Sequence, residues 1–283
     1  MNKLLIITLF NISIYNASFS QLKEIDSFVY MPLGKTFFNE KSFNVEPFYI
    51  YKTEIPNSEY LKFVNSLPKE QRISYLPNDK IWANDSLYIF INNSTYGDRV
   101  IDNYSSQLND YPVVNISYES ALKYCEWKTN EINQKRKLNF RIEVTLPNEE
   151  QWMRAVRDAT TSGYIYGTKE GKLVGKSNQF LCNFSPILQE MFDYNLKEKS
   201  LKSFEFNRRL DGYPFTAPVT SFEPNQFGLY NLSGNVAEML IEKGKIKGGS
   251  WISTGKQLWI DNFDFFVGES PFVGFRPIII VKQ

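Results

Sequence analysis

The chain has 283 residues, with 32 lysines and arginines against 31 aspartates and glutamates, so it lacks the basic excess that marks a nucleic-acid binder. It contains no histidine, which removes imidazole-held zinc and iron, Ser-His-Asp triads and Cys-His dyads from consideration. Its two cysteines, Cys125 and Cys182, leave two readings open: one disulfide in an oxidising compartment, or two buried small hydrophobes.

Residues 1–20, "MNKLLIITLFNISIYNASFS", have the layout of a secretory signal peptide: Lys3, an apolar run from Leu4 to Phe10, and a small-residue end at Ala17, Ser18 and Ser20. Cleavage near Ser20 leaves residues 21–283, expected in the periplasm or outside the cell. Gln21 rather than a cysteine stands directly after that point, which argues against a lipid anchor of the bacterial lipoprotein kind. No later segment is long and apolar enough to span a membrane. Without a linker, repeat or charge block, residues 21–283 are read as one domain.

"FVYMPLGKTFF", Phe28 to Phe38, predicts a short hairpin about its Pro/Gly turn. A strand is expected over Phe48 to Lys52, then a helix capped by Asn57 with Tyr60, Phe63 and Val64 on its buried face. Residues near 66 to 110 read as a polar surface excursion. Ser117 is placed to cap a second helix carrying Ala121, Leu122, Cys125 and Trp127. Asn148 is placed to cap a third, with Glu149 and Glu150 at its positive end and Trp152, Ala155 and Val156 facing inward. Beyond Asp158 the periodicity ends, and short aromatic runs lead to a last buried strand in "PFVGFRPIIIV". Helices gathered early, before a long irregular half, define an α+β domain with little regular secondary structure.

"GLYNLSGNVAEM", Gly228 to Met239, is too rich in turn formers for a helix and too polar for a buried strand. Two readings fit: a packed surface turn, or an oxygen-lined loop in which Asn231, Glu238 and intervening carbonyls face a hard cation.

Six segments in order, "FYIYKTEIPNSEYLKF", "PVVNISYESALKYCEW", "TLPNEEQWMRAV", "APVTSFEPNQFGLYNLSGNVAEM", "KGGSW" and "GFRP", resemble the formylglycine-generating enzyme family, the sulfatase-modifying factor domain. The resemblance covers most of residues 21–283 and implies a single domain related to the C-type lectin fold. It also implies calcium. One position would use Asn231, the carbonyls of Gly234 and Val236, and Glu238; the other would use Asn183, the carbonyl of Phe184, Asp211 and the carbonyl of Tyr213.

In active members, the resemblance further implies, two cysteines after the glycine turn hold copper(I) as thiolates and activate oxygen. The matching positions here are Ser253 and Leu258, and no histidine is present for the iron of related branches. Neither copper nor iron is therefore expected. Lys247 stands for the arginine before the glycines, Ala237 and Met239 for tryptophans, and Thr145 and Asn148 alter the usual Arg-Leu-Pro-Thr.

The expectation is an exported, non-catalytic binding or assembly module, calcium-stabilised, that meets a protein partner or a glycan in the cell envelope, by analogy a secretion or motility apparatus. The alternatives are an enzyme with copper-independent chemistry, built from Ser250, Ser253, Asp261, Asp264, Lys247 and Arg276, and a lectin-like glycan binder using Trp251, Trp259, Phe265 and Phe266. For those aromatics, core packing is the competing reading.

Overall fold

The computed structural model describes residues 27–78, 81, 108–136, 140–157, 166, 168, 172–176, 179–186, 211–213 and 215–282. The signal-peptide segment and most of the polar excursion before Leu108 lie outside these residues.

A four-stranded antiparallel sheet organises the molecule: β1 (Phe28–Met31), β4 (Phe48–Tyr51), β10 (Ile278–Lys282) and β5 (Arg141–Thr145), in that order. The final strand thus lies between early and middle strands, with Ile278 opposite both Ile50 and Thr145. β4 is buried along its whole length because both faces of the sheet are covered. Its side chains alternate as a strand's must. Tyr49 and Tyr51 enter one apolar cluster with α1 (Asn57–Ser66) and α3 (Tyr118–Lys135), while Phe48 and Ile50 enter the other with α4 (Glu149–Val156). The first cluster is aromatic, with Tyr60 and Tyr124 in ring contact with each other and with both Phe63 and Phe275. Burying each such ring contributes roughly 1.5–3 kcal/mol. A short helix α2 (Lys69–Arg72) follows α1.

The N-terminal segment differs from the expected hairpin. β1 pairs with β4, whereas β2 (Gly34–Phe38) pairs with β3 (Lys41–Val45) about Asn39 and Glu40, both at positive φ. The Pro/Gly turn therefore redirects the chain, and the actual hairpin turn is Asn-Glu. Asn57 also departs from expectation: it is the first helical residue after Pro56, and its amide donates to the Leu108 carbonyl rather than capping α1. Ser117 does cap α3, accepting from Ser120 N. Asn148 closes a capping box with Gln151 at α4. Leu122 and Trp127 are only partly buried, at the margin of the first cluster. Cys125 and Cys182 are both buried and unpaired.

A second sheet holds β8 (Asp264–Phe265), β7 (Lys245–Lys247), β6 (Ala237–Met239) and β9 (Val273–Gly274), with β6 and β9 parallel. "PFVGFRPIIIV" is thus two strands broken at Phe275–Pro277. "DNFDFF" supplies the edge strand β8, with both its residues exposed. Few helices, two four-stranded sheets and the two-stranded β2–β3 pair, joined by long irregular segments, make this an α+β fold.

Candidate functional site

Two regions hold the residues singled out from the sequence. The first is a buried polar turn ahead of β6. Asn231 (φ 52°), Gly234 (φ 76°) and Asn235 (φ 59°) all take left-handed backbone angles, so the segment curls tightly. A Cβ on Gly234 would lie 2.0 Å from the Asn183 carbonyl oxygen, so only glycine lets the turn press against the Cys182–Ser185 segment. Asn235 ties the two together. Its Oδ1 accepts from Asn183 Nδ2 (3.3 Å) and Ala217 N (2.7 Å), and its Nδ2 donates to Glu54 Oε1 (2.9 Å).

Glu238 faces inward from β6 and is fully engaged by protein donors. Arg276 Nε and Nη2 both donate to its Oε1 (2.9 and 2.7 Å), and Trp152 Nε1 donates to Oε2 (2.8 Å). Arg276 also donates to the carbonyls of Tyr51 and Tyr230. Glu54, absent from the sequence reading, joins this network. It is fully buried, it accepts from Asn235 Nδ2 and from Asn231 Nδ2 (3.3 Å), and burial, opposed by Arg276 and reinforced by Glu238, pushes its carboxyl up to about 8. The available signal was an acidic residue three positions after the apolar strand Phe48–Tyr51 and directly before Ile55.

The residues assigned to the other calcium position come together. Asp211 accepts from Phe184 N (3.0 Å) and Tyr213 N (2.9 Å), and burial pushes its carboxyl up to about 7 against those two bonds. Asn183, next along the chain from Phe184, is 1% exposed, and its Oδ1 has no hydrogen-bond partner. A buried amide oxygen left unpaired, one residue from the Phe184 N–H that Asp211 accepts, is the one feature of this set that a hard cation would satisfy. Asn231 Oδ1 is orphaned in the same way, but Glu238, its assigned carboxylate, already has a guanidinium and an indole on its oxygens. Among the described residues, no three His, Cys, Asp or Glu side chains converge on a metal position.

The second region is a cleft of about 440 Å³ beside β7 and β8, lined in part by Lys247, Ser250, Ser253, Asp264, Phe265 and Phe272. Gly248 (φ 90°) and Gly249 (φ 66°) turn the chain out of β7. A short 3-10 turn, Gly255–Leu258, begins after Thr254, whose N donates to Gln257 Oε1, and brings Leu258 back toward the glycines. A Cβ on Gly249 would lie 2.5 Å from Leu258 Cδ2 and 3.1 Å from Ser253 Oγ, so these two side chains flank one point. Neither can hold a soft ion there. Ser253 Oγ accepts from Ser250 N (2.9 Å), and Leu258 is fully buried in a cluster with Leu173, Cys182 and Phe184. Cys182 is the thiol nearest in packing, and burial pushes it well up, away from the thiolate that metals bind. Copper(I) does not fit this donor set.

The remaining candidates are dispersed. Lys247 is fully buried between the Trp152 ring and Glu149, 3.1 Å from Oε1; burial lowers its amine, opposed by Glu149. Lys245 also pairs with Glu149. Asp261 pairs with Arg157 (2.9 Å), and Arg276 lies in the buried network instead of the cleft. Trp251 is core, packed on Phe215 and Phe272, while Trp259 and Phe265 are exposed.

The family model of the sulfatase-modifying factor enzyme 1-like domain matches residues 18–279, and the chain belongs to that family. Among curated relatives it is similar to the inactive C-alpha-formylglycine-generating enzyme 2 of Bos taurus, 28% identical over 154 residues, covering 51% of this chain and 40% of the bovine protein. It is also similar to the formylglycine-generating enzyme of Thermomonospora curvata, 29% identical over 130 residues, covering 46% of this chain and 32% of that protein. The matched segments thus span under half the length of either relative. CarF and PvdO from Pseudomonas aeruginosa share the fold, each at TM-score 0.52 over 89% of this chain, with 17% and 16% identity and 97% and 93% of those chains covered. Among the described residues, no helix is long and apolar enough to cross a membrane.

Proposed function

We propose that this protein is a non-catalytic member of its family, a calcium-stabilised binding or assembly module exported to the periplasm or beyond. The observation that carries this reading is the pair flanking Gly249: a hydroxyl and an alkyl group, Ser253 and Leu258, where copper chemistry needs two thiolates. The likeness to a relative named inactive supports it. The relation to the C-type lectin fold belongs to this proposal, as does a protein partner in the cell envelope, of a secretion or motility apparatus, meeting the cleft and its exposed edge strand β8. Incubating purified protein aerobically with copper(I) and a cysteine-bearing sulfatase peptide tests the chemistry. No formylglycine is the expected result, and measurable formylglycine overturns the reading.

A glycan in the cleft is the second reading, favoured by Phe265 at 67% exposure beside Asp264. Trp251 does not serve it, being core. A glycan array with and without calcium separates the two, and binding to no sugar removes the second.

A further inference from the structure

The second sheet ends in an open edge. β8 pairs with β7 in the register Lys245↔Phe265 and Ile246↔Asp264, and Phe266 N donates to the Gly244 carbonyl (2.9 Å). Bonded and non-bonded pairs alternate along an antiparallel ladder, so Phe265, next to the bonded Phe266–Gly244 pair, turns its N–H and C=O away from β7. Lys245 agrees: its carbonyl accepts from Leu240 N, on the β6 side. The Phe265 N–H meets Asp264 Oδ1 (2.8 Å) instead, a side chain standing where a neighbouring strand's carbonyl would be.

The side chains alternate to match. Phe263, Phe265 and Val267 form a row on the face of Lys245, whose Nζ lies 4.4 Å from the centre of the Phe263 ring, and they are 48%, 67% and 97% exposed. Asp264 and Phe266 take the other face, with the buried Ile246, beside the cleft. Proteins blunt or cover an open edge, and this one carries an apolar row guarded by one carboxylate. An unpaired strand edge accepts another strand, from a second copy or from a different protein. A second copy paired about Phe265 would set the two Asp264 carboxylates diagonally on one face, like charges within reach of each other. No lysine or arginine pairs with Asp264 among the described residues, so the edge itself lacks a cation to separate them. A segment that brings a cation fits better.

We infer that β8 takes an extended segment of a partner protein as a fifth, antiparallel strand of the second sheet, with a lysine or arginine opposite Asp264. This rests on the protein-partner part of the proposed function and names how that partner is held. The incoming strand exchanges two backbone bonds with Phe265, and the Asp264 carboxylate it displaces turns to the incoming cation. Main-chain bonds supply the register, and side chains supply the choice of partner. Opposite Val267, Phe265 and Phe263 the segment places apolar groups, because removing those exposed faces from water favours pairing. Along the partner's chain the pattern is therefore apolar, any residue, apolar, basic, apolar.

The test pans a phage-displayed library of random peptides against the immobilised full chain, then measures the affinity of the synthetic consensus by fluorescence polarisation. The expected consensus is the pattern above. Methylating the backbone nitrogen of its middle apolar residue, opposite Phe265, should weaken binding roughly tenfold by removing a ladder bond. Asp264→Lys should weaken it roughly fivefold, and should bind the peptide with glutamate at the basic position more tightly than wild type does. A helical or proline-rich consensus, or binding indifferent to both changes, overturns strand pairing while keeping a protein partner elsewhere on the chain. A library that yields no sequence overturns it too, and sugar binding on the glycan array would then remove the partner reading as well. In sedimentation, a concentration-dependent dimer abolished by Phe265→Pro would make a second copy the occupant and overturn the inference. The Phe265 N–H makes no bond to β7, so that proline leaves the β7–β8 pairing in place. Circular dichroism checks the folding of each variant, and should Asp264→Lys not fold, the methylated peptide on wild-type protein decides.

Discussion

The turn from Asn231 to Glu238 and the segment from Gly248 to Leu258 are both glycine-bent and polar in sequence, yet they do opposite things with their polar groups. In the first, five polar side chains, Glu54, Asn231, Asn235, Glu238 and Arg276, are buried against one another, and each is committed to a partner across the fold. In the second, the Ser253 hydroxyl bonds to the backbone three residues away, and Leu258 has joined the core. The difference puts the buried polar network and the cleft-lining loop in separate places. The inner turn ties β6 to residues across the fold and cannot change without cost, whereas the glycine-bent loop closes with a hydroxyl and an alkyl group at Ser253 and Leu258.

The most damaging way to probe this contrast is to take the cation out of the inner turn. Arg276→Met should cost about 3–5 kcal/mol in chemical denaturation, because it leaves the buried Glu238 carboxylate without its guanidinium. A loss below about 1 kcal/mol would mean that the network is not what holds the turn. Next in size, Gly234→Ala should cost more than about 2 kcal/mol, from an L-residue at φ 76° and a methyl group forced onto the Asn183 carbonyl. Gly268→Ala offers the contrast: φ is 75°, but nothing lies within 4 Å of an added Cβ, so only the conformational part of that cost should appear.

The sequence carried more of the fold than of the site. The stripes of α1 and α4 and the caps Ser117 and Asn148 were legible because each rests on residues a few positions apart. Strand pairing was not: the local turn signal at Pro32–Gly34 lost to β1 finding β4, a choice made by burial on both faces of the sheet. At the site, Asn231 and Glu238 were visible as turn and acid in one quoted loop. Glu54 was not, since its partners lie 177 and 181 residues away and no local pattern announces a carboxylate that will be wholly buried. Nor could spacing show that Glu238 would be claimed by Arg276, another long-range pairing.

Between the two regions stands Glu149, the partner of both Lys245 and the buried Lys247. Burial alone would raise its carboxyl, but the hydrogen bond from Lys245 and the charge of Lys247 hold it below the ordinary value near 4.5. Unfolded chains therefore bind more protons than folded ones just below that pH, so this contribution is present above it and disappears as pH falls through the folded value. Removing the charge should cost about 2 kcal/mol at pH 7, with the partial exposure of Glu149 keeping it under the full price of a buried pair. Denaturation curves for wild type and Glu149→Gln should converge as the solution is acidified from pH 6 to 3. Curves that stay parallel would show that the lysines gain nothing from this carboxylate.

The smallest expected effect bears most directly on function. Ser253→Ala removes the acceptor of the Ser250 N–H, a bond worth about 1 kcal/mol, and the cleft admits water to replace it. Stability should barely move, and binding to an envelope partner should fall only slightly, because complementarity across a cleft is spread over many contacts. A nucleophile behaves differently: with Ser253 as the reacting group, any turnover would vanish with the hydroxyl while the fold stayed intact. Its surroundings argue against that role, since the Oγ faces a backbone N–H donor and no described side chain is bonded to it as a base. The measurement is therefore a comparison of two losses in one variant, melting temperature and partner affinity. Both should be slight, and a hydrolytic or transfer activity that disappears with the hydroxyl would move the chain from the scaffold reading to the copper-independent enzyme.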